Sequence, residues 1–123
     1  MLPARSRLRH RGDFTTAVHA ARGVRGDGLL VVHAARTTDG RTPRVGVVVT
    51  RAVGSAVTRN RVKRRLRHVL AQRLAALPAG TDVVVRALPA AAVASSRTLA
   101  EALDVALRGA ASRSAARPGA PGR

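Results

Sequence analysis

The stretch Arg44-Val-Gly-Val-Val-Val-Thr-Arg-Ala-Val-Gly-Ser-Ala-Val-Thr-Arg-Asn-Arg-Val-Lys-Arg-Arg-Leu-Arg67 changes its period midway. Arg44–Thr50 is β-branched and apolar, the composition of a strand. Ser55 is a candidate N-cap, since its hydroxyl can accept from a backbone N–H left free at a helix start. Beyond it Val62, Leu66, Val69, Leu70, Leu74 and Leu77 recur at helical spacing and share one face. The spacing predicts a helix over 56–77, about 33 Å long. Pro78-Ala-Gly80 stops it. Thr81–Ala87 (Thr-Asp-Val-Val-Val-Arg-Ala) then reads as another strand. Strand, long helix, strand is the signature of an α/β arrangement.

Working outward, Leu29–Ala35 is an apolar run broken only by His33, and also reads as a strand. It is expected to pair with Arg44–Thr50 as an antiparallel hairpin across the polar turn Thr37–Pro43. Upstream, Asp13 can cap a helix carrying Phe14, Ala17, Val18 and Ala21 on one face and ending near Gly23. Gly23–Gly28 reads as a turn. Downstream, Leu88–Ala94 is a connection. Ser95 or Ser96 caps a last helix with Leu99, Leu103, Ala106 and Leu107 along one stripe. The expectation is one α/β (α+β) two-layer sandwich over residues 1–109, followed by a disordered basic tail over 110–123.

Composition narrows the function. The 123 residues carry 23 Lys+Arg against 6 Asp+Glu, a formal net charge of +17. Such a charge opposes compaction unless a polyanion relieves it, and nucleic acid is the obvious partner. A membrane surface is a poorer fit, because the basic stretch lacks the aromatic or bulky anchors of interfacial helices. With no cysteine there is no disulfide, thiolate metal site or cysteine nucleophile. No apolar run reaches membrane-spanning length and the basic N-terminus lacks a signal-peptide core, so a cytoplasmic protein is expected. Lys63 is the only lysine, so 22 of the 23 basic residues are arginine, a bias that makes any single arginine weak evidence.

Position is better evidence than number. Residues 40–81 hold ten basic side chains and no acid, and six of the ten fall within Arg59–Arg67. On a helix, Arg61, Arg64 and Arg67 project away from the apolar stripe with Asn60 and His68, while Lys63 and Arg65 lie towards its flanks. Arg59 falls angularly on the apolar side. It must reach back past the helix start, to a phosphate or a local hydrogen-bond network. Solvated helix faces normally mix both signs. One without carboxylates suits phosphate, which the guanidinium fork and the N–H groups of a helix start both recognise.

The same residues carry a family resemblance. Arg44-Val-Gly-Val-Val-Val-Thr followed by Val53-Gly-Ser-Ala-Val-Thr-Arg-Asn-Arg-Val-Lys-Arg-Arg-Leu-Arg67 resembles the bacterial ribonuclease P protein subunit. Arg7-Leu-Arg-His-Arg-Gly-Asp-Phe14 is similar to that family's basic lead-in, and Asp82–Ala87 to its last strand. The resemblance covers roughly residues 5–108. It implies a ribosomal protein S5 domain 2-like fold, a small mixed sheet with a left-handed β-α-β crossover, against the usual hand. It implies binding of a catalytic ribonuclease P RNA through Arg51, Arg59, Asn60, Arg61, Lys63, Arg64, Arg65 and Arg67. It also implies a cleft for the 5′ leader of precursor tRNA, here Phe14, Val18, His33, Arg7 and Arg9. The activity implied is endonucleolytic removal of that leader. Its Mg²⁺ is held mainly by the RNA, and no protein partner is required. The chain departs from the family where aromatics usually line the cleft, since only Phe14 remains, and at Ala52, where a second basic residue is common.

A different class, a structural ribosomal or general RNA-binding protein, shares the charge and size but not the ordered motif. An autonomous nuclease is disfavoured. Asp13, Asp27, Asp39, Asp82, Glu101 and Asp104 are scattered singly. His10, His19, His33 and His68 form no metal or acid–base spacing with them.

Overall fold

The computed structural model of the chain describes residues 23–36 and 42–115, with Arg36 and residues 111–115 described in backbone only. The expected first helix, with Asp13, Phe14 and Val18, lies outside them, as do Arg7 and Arg9. Along the described chain run β1 (Val24–Gly26), β2 (Leu30–Arg36), β3 (Arg44–Val48), α1 (Ala56–Arg73), β4 (Thr81–Ala87) and α2 (Ser96–Ala115). Short 3-10 turns occupy Arg51–Val53, Leu74–Ala76 and Pro89–Val93.

The sheet has the order β1-β2-β4-β3, with β4 antiparallel to β2 and parallel to β3. The expected hairpin between the second and third strands is therefore incorrect, because β4 inserts between them. The reason lies in β4 itself. Val83, Val84 and Val85 are each no more than 1% exposed, so the strand is covered on both faces, which suits an interior position. Sequential strands usually pair. Here the burial of a valine run outweighs that local preference.

One face of the sheet, made by Leu30, Val32, Val45, Val47, Val83, Val85 and Ala87, packs against both helices. From α1 come Val62, Leu66, Val69 and Leu70, and from α2 Leu99, Ala102, Leu103 and Ala106. These side chains alternate with period two on the strands and 3.6 on the helices, which makes the two layers. The other sheet face carries Val31, His33, Val84 and Gly46, all buried.

The stretch expected as a turn contains β1, which pairs with β2 through a tight turn at Asp27 (φ 51°) and Gly28 (φ 73°). Asp-Gly is the dipeptide such turns favour. Gly26 lies so near α2 that a Cβ there would meet the carbonyl oxygen of Ala102. Glycine thus serves close packing of strand on helix, which resembles turn composition when read along the chain. Helix α1 ends at Arg73 and tightens into 3-10 geometry over Leu74–Ala76, short of the expected Leu77. The last helix continues to Ala115, into the stretch expected to be a disordered tail.

Candidate nucleic-acid interface

The helix start is built by a short relay of local interactions. After β3 the chain makes the 3-10 turn Arg51–Val53, with Val53 buried as its anchor. Gly54 follows at φ 151°, ψ −160°, a conformation nearly closed to residues with a Cβ. Ser55 Oγ then accepts from the Thr58 N–H at 3.3 Å, the N-cap read from the sequence. The carbonyl of Gly54 accepts from Arg59 Nε at 3.2 Å. Arg59 thus reaches back past the helix start, as its angular position required.

From this start the basic residues of α1 divide three ways. Asn60, Arg64 and His68 stand exposed opposite the buried stripe, with Arg51 exposed on the preceding turn. Arg59, Lys63 and Arg67, spaced by four, form a half-buried flank. Arg61 and Arg65 form the opposite flank and turn to the 3-10 turn Pro89–Val93. Arg61 donates to the carbonyl of Ala92 at 3.2 Å, and Arg65 to that of Ala94 at 2.8 Å. The expectation that Arg61 points away from the fold is therefore corrected. The carbonyls at the end of that turn need donors, and Arg61 and Arg65 lie one helical turn apart on the flank that faces them. The i, i+4 spacing was visible in the sequence, but the turn they serve was read only as a connection.

The electrostatics favour anions at this surface. Among the described residues the ion pairs are Arg44–Asp82 at 2.9 Å, Arg73–Asp104 at 2.5 Å and Arg97–Glu101 at 3.6 Å. None involves Arg51 or a basic residue of 59–67. Two of the described acids are engaged elsewhere. Asp82 takes two hydrogen bonds from Arg44, and Asp104 takes two from Arg73 at the far end of α1. The Arg73 hydrogen bonds hold the Asp104 carboxyl below the usual carboxylate range against the opposing effect of burial, aided by the charges of Arg73 and Arg108. No positive charge on the exposed face of α1 is neutralised within the described fold. A charge-assisted bond to a carbonyl, as at Arg61 and Arg65, leaves the cation intact.

Of the residues expected to contact a leader, only His33 is described. It is 8% exposed and lies on the sheet face opposite α1 and α2. His33 and the basic residues of α1 thus lie on different sides of the sheet.

A mixed four-stranded sheet with two helices on one face, bearing an unneutralised arginine-rich helix start, defines a small α/β RNA-binding protein. The chain belongs to the Ribonuclease P protein family, whose profile matches residues 2–111. A relative named ribonuclease P protein component, from Streptomyces bikiniensis, is 53% identical over 116 residues, covering 88% of this chain and 94% of its own. The RNase P protein from Thermotoga maritima superposes with a TM-score of 0.71 at 28% identity, over 85% of this chain and 97% of its own. The Staphylococcus aureus RNase P protein shares the fold, with a TM-score of 0.75 at 23% identity over 84% and 93% of the two chains. The protein is accordingly a component of ribonuclease P, the endoribonuclease of tRNA 5′ processing, and associates with that enzyme's RNA. Among the described residues no helix is long and apolar enough to cross a membrane.

Proposed function

We propose that this chain holds the ribonuclease P RNA against the outer side of α1 and receives the 5′ leader of precursor tRNA on the opposite sheet face, while the RNA performs the cleavage. The observation that carries this reading is the cationic helix start without a carboxylate beside it. Arg51, Asn60, Lys63, Arg64 and Arg67 supply outward donors for phosphate and ribose. Arg59, Arg61 and Arg65 keep their charge at the same surface while bonding the backbone that shapes it. On the leader side, His33 sits among Val31, Val84 and Gly46. Phe14, Val18, Arg7 and Arg9 complete the proposed cleft. With one aromatic in the chain, leader binding depends mainly on backbone charge, since base stacking would otherwise add about 1–3 kcal/mol per base.

The chemistry is assigned to the RNA because the described side chains offer no ligand set for Mg²⁺. No group of three or more His, Asp or Glu residues comes together among them. Asp82 and Asp104 are each held by an arginine. Mg²⁺ held by the RNA would supply the activated water. The protein's part is electrostatic: its cations lower the repulsion between two RNAs that must approach each other, which lowers the Mg²⁺ needed for assembly.

The test is reconstitution. The protein is mixed with ribonuclease P RNA at low Mg²⁺ and precursor-tRNA cleavage is followed. Stimulation over RNA alone, with no cleavage by protein alone, is the expected result. Absence of stimulation overturns the proposal, and cleavage by protein alone transfers the chemistry to the chain.

A further inference from the structure

The exposed large apolar side chains among the described residues are Val57 at 75%, Val93 at 91% and Val105 at 41%. The two most exposed adjoin one arginine. Val57 lies one helical turn before Arg61 on α1. Val93 follows Ala92, whose carbonyl accepts from Arg61 at 3.2 Å. The 3-10 turn Pro89–Val93 packs against both α1 and the turn Arg51–Val53. Two valines distant in the chain are thereby brought to the helix start.

Neither valine belongs to the hydrophobic core. At 3.6 residues per turn, Val57 falls directly opposite the fully buried Leu66. A β-branched residue on an exposed first turn is also a poorer helix former than alanine. In the run Ala90-Ala91-Ala92-Val93-Ala94, Ala91 and Ala94 are buried, while the one residue larger than alanine faces out. A single exposed valine is ordinary. Two that converge on a cation, next to the exposed Arg51, Asn60 and Arg64, call for a partner with both apolar and anionic parts.

Arg61 supplies the third part. Its bond to Ala92 fixes the guanidinium in place and leaves its charge intact. A guanidinium is planar, so its face takes a nucleobase as its edge takes a phosphate. The valine methyls beside it offer nothing to a phosphate, whose hydration they would displace, but they suit the apolar face of a base. A base presents that face only when it is unpaired and splayed out of the helix.

We infer that Val57, Arg61 and Val93 form a seat for one unpaired nucleotide of the ribonuclease P RNA, its base laid against the guanidinium and the valine methyls. This rests on the reading that the RNA lies along α1, and adds a base contact to a surface otherwise suited to phosphate. It also gives a chain with one aromatic residue a platform for a base that needs none.

The test is binding of ribonuclease P RNA by wild type and by Val57→Ala/Val93→Ala protein over a salt series, with chemical probing of the unpaired bases of the RNA. The double variant should bind roughly tenfold more weakly, from the apolar contact removed. The slope of log K against log salt should not change, because no phosphate contact is lost. Arg61→Lys keeps the charge but not the plane, and should lose roughly fivefold or more at the same slope. One unpaired base protected by wild type should become reactive with both variants. Thermal unfolding of the double variant should match wild type, and Val105→Ala, on α2, should leave RNA binding unchanged. Normal affinity of the double variant, an altered salt slope, an equal loss from Val105→Ala, or no base whose reactivity follows the valines overturns the inference. So does self-association of the wild type that the double variant abolishes, which would make the patch a contact between copies of this chain. Arg64→Ala separates the two readings. If it binds RNA normally with an unchanged slope, the placement of RNA along α1 fails; if its slope falls while the double valine variant binds normally, only the seat fails.

Discussion

Arg64 and Arg65 are neighbours in sequence with opposite duties, and replacing each by alanine separates RNA binding from folding. Arg64 is exposed and has no partner among the described residues. Its removal costs the fold nothing beyond about 0.5 kcal/mol either way, as for surface positions generally, and alanine is the better helix former. What it loses is one phosphate contact. The slope of log K against log salt for the ribonuclease P RNA should fall by about 0.9, and affinity at 0.1 M salt by roughly eightfold relative to the 1 M limit. Arg65 donates a 2.8 Å hydrogen bond to the carbonyl of the buried Ala94. A bond from a charged donor is worth about 1.5–3 kcal/mol, and partial exposure places this one near the lower figure. In a domain of this size that lowers the melting temperature by about 6–12 °C. Thermal unfolding by circular dichroism and salt-dependent filter binding on the two variants provide the comparison. If Arg64→Ala destabilises as much as Arg65→Ala, or leaves the salt slope unchanged, the division of labour around α1 is wrong.

Two further outcomes follow from the same geometry. Gly54→Ala places a Cβ at φ 151°, against Thr58 Cγ2 at 3.1 Å. It should cost about 1–3 kcal/mol and weaken RNA binding together with stability, because this turn seats both the Ser55 cap and the Arg59 contact; retained stability in urea unfolding would show that the turn relaxes freely. The Arg73–Asp104 pair gives an acid signature. The Asp104 carboxyl is held below its unfolded value of about 3.9, so its stabilisation is complete above roughly pH 5 and is lost as pH falls through the folded value. The pair is part-exposed, which limits the effect to about 1 kcal/mol. Asp104→Asn should remove that part of the pH dependence between pH 5 and 2, and an unaltered profile would refute the assignment.

Local chemistry made several features legible along the chain. Ser55 and Ser95 cap their helices because each is followed by a run of helical period, and each accepts from the N–H three residues on. Thr81–Ala87 is a strand with the ends expected from its valines and the Pro-Gly boundary before it. The expected back-reach of Arg59 follows from angle alone. The charge asymmetry of residues 40–81 is a property of composition and position, and needs no coordinates.

Partnership was not legible. Strands Leu30–Arg36, Arg44–Val48 and Thr81–Ala87 each carry a run of consecutive apolar residues, so alternation cannot say which pairs with which, and the structure puts Thr81–Ala87 between the other two. The 3-10 turn Pro89–Val93 and the Ala94 that follows it claim two arginines, Arg61, expected to project away from the apolar stripe, and Arg65, expected at its flank. Val57 and Val93 lie far apart in the chain and become neighbours of Arg61 only through that turn. The sequence by itself determined that this protein carries an arginine-rich helix start suited to RNA, because capping, period and charge act within a few residues. Only the tertiary structure decided which arginines bind the protein's own backbone and which remain for RNA, because that choice depends on carbonyls and strands brought alongside from distant parts of the chain.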